Sequence, residues 1–113
     1  MDSILTSIKK LLGITEEDTA FDDELIMLIN GVFMNLTQIG IGPSDGFVIK
    51  DANDTWHDFT HDTVSFRVEW VQTYIHLQVK LVFDPPAGSV LDSYKRRIDE
   101  LECRLNLAAE CSE

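Results

Sequence analysis

An apolar run, VQTYIHLQVKLVF (residues 71–83), ends at Asp84-Pro85-Pro86, and a charged, regularly spaced segment follows almost at once. No other feature constrains the fold as much. Proline disfavours helical geometry in the residue before it and has no N–H to donate, so no regular element can pass through 84–86. The chain must turn a corner there. Pro86 suits the first turn of a new helix, and Ser89 is a candidate cap. Beyond it Leu91, Tyr94, Ile98, Leu101, Leu105 and Ala108 recur every three or four residues, a heptad-like apolar seam. Asp92 precedes Arg96, and Glu100 precedes Arg104, by one helical turn, the favoured order for helix ion pairs. The spacing predicts a C-terminal helix over 89–108, a rod of about 30 Å, followed by a frayed tail at 109–113.

The segment before the corner reads two ways. Ile75, Leu77, Val79 and Leu81 alternate with His76, Gln78 and Lys80, as in a strand. Glu69, Gln72, Thr73, His76 and Lys80 also form one polar helical stripe. Residues 63–83 contain no Gly or Pro and are long for a strand, so a mostly buried helix is expected.

Towards the N-terminus, Ile4, Leu5, Ile8, Leu11 and Leu12 share one helical face, with Ser3 as cap and Gly13 as a left-handed stop. This predicts a short amphipathic helix within 1–13. Thr19 and Asp22 approximate a capping box with Asp in place of Glu. From there Phe21, Leu25, Leu28, Ile29, Val32, Leu36 and Ile39 recur at helical spacing. Ile26, Met27, Phe33 and Met34 widen the apolar surface, so 21–39 reads as a central core helix. The alternative is a helix packed both on the core and on a neighbouring subunit. Gly40, Gly42, Pro43 and Gly46 break it, and 40–62 reads as a long protruding loop with room for a short strand or hairpin at Phe47–Ile49.

The chain has 113 residues, 44% of them apolar, which suits one domain with a single modest core. Its formal net charge is −11, and residues 1–62 carry twelve acids against three bases. Such a surface repels nucleic-acid backbone and anionic lipid, which argues against a protein that grips DNA. It permits a wall that DNA slides past, or a surface that meets a basic partner. The start, MDSILTSIKKLLG, has an acid where a secretory leader carries bases, and no run is long enough to span a membrane. Cys103 and Cys111 would lie about 12 Å apart on one helix, too far for a disulfide, so reduced, cytoplasmic assembly is expected.

No catalytic motif is present. GIGPSDG (40–46) lacks the Lys-Ser/Thr of a phosphate loop. Asp51, Asn53 and Thr55 mimic the first positions of a calcium loop, but Trp56 stands where Gly is required and no Glu closes the loop. His57 and His61 have zinc-helix spacing without the intervening Glu. Solvated turn and capping residues are the expected role, with no metal and no cofactor. The interface candidates are the aromatics Phe47, Trp56 and Phe59, whose residue types are enriched at interface centres, and the basic run Lys95-Arg96-Arg97. Satellite packing under the loop is the other role open to the aromatics. If they form the interface, Trp56→Ala weakens assembly and leaves helicity intact.

FDDELIMLINGVFMNLTQIGIGP, the loop segment DTWHDF, the run VQTYIHLQVKLVFDPP and the closing DELECRLN occur in an order and spacing that resembles the head–tail connector (adaptor) proteins of long-tailed bacteriophages. The resemblance spans about residues 3–108. It implies a mainly α fold, a small bundle of about four helices with a protruding loop. It also implies a non-enzymatic virion protein, assembled in the host cytoplasm. Such a protein forms a homo-oligomeric ring, usually of twelve subunits, on the portal protein, extends the DNA channel and docks a stopper or tail-completion protein. A rival from another class is an acidic regulatory binder of the DNA-mimic type, which the charge of residues 1–62 motivates.

Overall fold

A computed structural model describes residues 3–43, 45–60 and 68–111, with the backbone alone at 110–111. Five helices cover 71% of the described residues: α1 (Ile4–Leu12), α2 (Asp22–Ile39), α3 (Trp56–Thr60), α4 (Val68–Phe83) and α5 (Gly88–Cys111). The mainly α expectation is met, with one short helix more than the four expected. Among the described residues no strand forms, and residues 46–50 take no regular secondary structure. The only β-type pairing there is an isolated bridge between Ser3 and Thr55.

Local chemistry sets most helix ends. The Ser3 hydroxyl accepts from the Thr6 N–H at 3.2 Å, and Gly13 (φ +82°) closes α1 as its left-handed cap. Gly40 (φ +101°) closes α2 in the same way. The start of α2 differs from expectation. Phe21 occupies the cap position and no side chain caps the helix. The Thr19 carbonyl takes the Asp22 N–H in a turn, and the Asp22 carboxylate turns to Lys9 Nζ, 2.9 Å away. That pair is an ion pair without an aligned hydrogen bond. Lys9 is buried and also donates to the Glu16 carbonyl at 3.2 Å. The capping box forms instead at Thr55 and Asp58, where each side chain accepts the other's N–H at 3.2 and 2.9 Å and starts α3.

The corner at Asp84-Pro85-Pro86 folds α4 back on α5, and the seam of α5 faces inward. Ile98, Leu101 and Leu105 are buried, with Leu91, Tyr94 and Ala108 half-buried at its ends. The tail expected to fray stays helical as far as Cys111, because the seam carries α5 along the bundle and Ala108 and Ala109 pack on the core. Residues 63–67, expected at the start of α4, lie outside the described residues, as does the end of the tail at 112–113.

The centre of the bundle is α4, not α2. It packs against α1, α2 and α5, whereas α2 and α5 meet each other sparsely. This explains its strand-like pattern. A helix covered on three sides is apolar around most of its circumference, so Val71, Ile75, Leu77 and Val79 are all buried. Tyr74 is fully buried, and its hydroxyl donates to Glu102 Oε2 on α5 at 2.7 Å and accepts from Gln78 at 3.1 Å. Burial and the Glu102 hydrogen bond push its pKa up to about 12. Among the described residues twenty buried side chains form one core, eighteen from the five helices and Ile41 and Ile49 from the segment between α2 and α3.

Candidate functional interface

The 40–60 region is drawn onto the bundle rather than projected from it. Three ties hold it. Asn30, in the middle of α2, grips Ile49 at both backbone groups: its Oδ1 accepts the Ile49 N–H at 2.8 Å and its Nδ2 donates to the Ile49 carbonyl at 3.0 Å. Trp56 Nε1 donates to Ser7 Oγ on α1 at 3.2 Å. The Ile4 N–H reaches the Asp54 carbonyl at 3.0 Å.

Underneath lies an aromatic triad. The Phe33 ring of α2 meets Phe47 and Phe59 with centroids 5.0 Å apart in each case, and Phe47 meets Phe59 at 5.3 Å. The edge-on and tilted arrangements are those favoured by ring quadrupoles. Gly42 (φ +94°) lets the backbone pass over this triad, since a Cβ there would stand 2.6 Å from the Phe59 ring. Trp56 is 6% exposed and Phe59 1% exposed, with Phe47 half-buried beside them. Trp56 and Phe59 are therefore packed within the subunit, while Phe47 lies at its surface edge. The reason is position: all three lie over apolar ground that α1 and α2 leave open.

The calcium-like residues are likewise used locally. Asp51 Oδ1 accepts from the Asn53 N–H at 2.8 Å, and the Asp54 carboxylate accepts from Lys50 and Asp51 at 2.6 and 3.3 Å. His61, the second histidine of the zinc-like pair, lies outside the described residues.

The outer surface that these ties create had a weak sequence signal. Met27, Gly31 and Met34 face outward on α2, one turn apart, with Met27 73% and Met34 64% exposed. Beside them Val48 is 58% exposed. Met34, Thr37 and Gln38 on one side and Asp45, Gly46, Phe47 and Val48 on the other line an open groove of about 390 Å³. The signal was the excess width of apolar surface on α2, more than one buried face requires. Asp23 and Glu24 continue the face at the N-terminal end, and α2 contains no lysine or arginine.

On α5, Lys95, Arg96 and Arg97 are all exposed. Arg97 stands 3.8 Å from Glu100, and Arg104 pairs with Glu100 at 2.9 Å while its guanidinium lies 5.7 Å from the centre of the Trp70 ring. Exposed pairs of this kind contribute at most about 1 kcal/mol. Cys103 and Leu107 lie on the same outward arc. A further apolar patch sits near the corner, where Phe21 and Phe83 meet edge to face at 5.2 Å beside the exposed Val82.

Among the described residues no group of His, Cys, Asp and Glu is placed to hold a metal, and no helix is long and apolar enough to cross a membrane. What the described surface offers is exposed apolar and charged area. The chain matches the family model described as phage connector protein over residues 4–112. No curated protein and no solved structure matches it.

Proposed function

The chain belongs to the phage connector protein family, and from that premise we propose that it is a subunit of a closed head–tail connector ring seated on the portal vertex. The ring extends the DNA channel and presents a docking surface to a stopper or tail-completion protein. It works by assembly and carries out no chemical step. Its place is the virion, at the junction of head and tail.

The shape of the subunit carries the reading. The Cα extents are 40 × 35 × 19 Å, a slab about two helices thick. A slab with unlike flanks associates through heterologous contacts, which close into a ring when the rotation between copies is right. The exposed methionines of α2 and the patch around Phe21 and Phe83 supply apolar area for such contacts. The net charge of −11 suits a channel wall that does not hold DNA.

Electron microscopy of portal-bearing capsids mixed with the purified protein tests this. The expected result is an added ring of density at the portal. Capsids that stay bare at saturating protein overturn the proposal.

A further inference from the structure

Building on the ring reading, we infer that the α2 flank of one copy receives the α5 flank of the next copy. α2 and α5 both pack on α4 and meet each other sparsely, so each keeps its own outward face, two different surfaces of one subunit. That is the placement a head-to-tail contact between identical subunits requires.

The two flanks differ in the right sense. The α2 flank is acidic and apolar, with Asp23, Glu24 and Asp45 around Met27, Met34 and Val48. The α5 flank carries four of the chain's nine lysines and arginines, three of them in the exposed run Lys95-Arg96-Arg97, interspersed with the exposed Asp92, Asp99 and Glu100, whereas α2 has no base at all; the exposed Leu107 lies along the same helix. Copies that each bear a charge of −11 repel one another in most orientations. Bringing Lys95–Arg97 against Asp23, Glu24 and Asp45 is an orientation in which opposite charges meet. It also covers the methionines that the fold leaves in water.

The narrower sides of the slab project roughly 670–760 Å² (35 × 19 and 40 × 19), approaching the about 800 Å² per partner of a standard specific interface.

Charge exchange on portal-bearing capsids tests the pairing, with ring occupancy counted by electron microscopy. Arg96→Glu with Arg97→Glu is expected to lower occupancy at least tenfold, as is Asp23→Lys with Glu24→Lys. A chain carrying all four changes is expected to recover most of it. Melting curves check that these exposed substitutions leave the fold intact. Wild-type occupancy is also expected to fall as salt rises. Independently, Met34→Cys is expected to cross-link under oxidation to the exposed Cys103 of a neighbouring copy and give a ladder of covalent oligomers. Rings that tolerate either single reversal and give no ladder overturn this pairing and leave the ring itself standing. Failure of the four-fold variant to recover, with no ladder, assigns the α2 flank to the portal protein instead and equally overturns it. Absence of wild-type rings removes the functional reading on which the pairing rests.

Discussion

The side-chain amide of Asn30 stands in for a neighbouring strand at Ile49, accepting its N–H at 2.8 Å and donating to its carbonyl at 3.0 Å. One polar residue on an otherwise apolar stretch of α2 thereby fixes the segment that forms a wall of the groove. Asn30→Ala removes both bonds and leaves half-buried backbone groups unpaired. A loss of about 1–3 kcal/mol is expected. Denaturant melts measure it, and faster amide exchange at Ile49 locates it. Asn30→Asp keeps the acceptor and loses the donor, so it is expected to fall between the two. Unchanged exchange at Ile49 in Asn30→Ala would show that the triad alone holds the segment.

Trp56 now carries a different expectation from the one its sequence context gave. It is 6% exposed and bonded to Ser7 on α1. Trp56→Ala therefore opens a cavity and frees the loop from α1, with a cost of about 3–5 kcal/mol. The melting temperature should fall clearly, and any loss of assembly should follow from that. A variant of wild-type stability that fails to assemble would return Trp56 to the interface.

Leu101 is 2% exposed on the inward seam of α5. Leu101→Ala should cost about 2–5 kcal/mol, and Leu101→Asp more, because a carboxylate would be buried among apolar neighbours without a partner. Thermal unfolding followed by circular dichroism checks both. If the two variants melt like wild type, α5 is not seated on α4 as described.

His76 makes stability depend on pH. Its Nε2 is buried and has no hydrogen-bond partner among the described residues, and burial first, then the charge of Lys80, lowers its pKa below the ordinary 6.5, while a hydrogen bond with the Leu11 backbone offsets part of this. The folded chain thus binds this proton less readily than the unfolded chain does. The stability tied to neutral His76 is fully present above pH 6.5 and is lost as pH falls from there towards the lowered value. Replacing His76 by Gln removes that dependence, so the gap in stability between wild type and His76→Gln should narrow or reverse as pH drops across this window. Parallel pH profiles from denaturant melts would refute the assignment.

The amino-acid sequence by itself marked four of the five helices, and α3 alone was hidden in what read as loop. Ser3 and Gly13 bracket α1, Gly40 ends α2, and the proline pair separates α4 from α5, because caps and breakers act within a few residues of chain. The inward seam of α5 was legible for the same reason: residues three and four apart share a face whatever lies opposite. Asp22 and Asp58 mark the limit of that reasoning. Both stand three residues after a threonine, yet the capping box formed only at Thr55, since Asp22 was claimed by Lys9 from a different helix. Only the tertiary structure decided which apolar surfaces meet. Phe47, Trp56 and Phe59 turned inward because Phe33, Ser7 and Asn30 were there to receive them, while Met27 and Met34 were left outside because α4, already flanked by α1 and α5, covers a single face of α2. Burial is a property of two surfaces together, and a local pattern of residues describes just one of them.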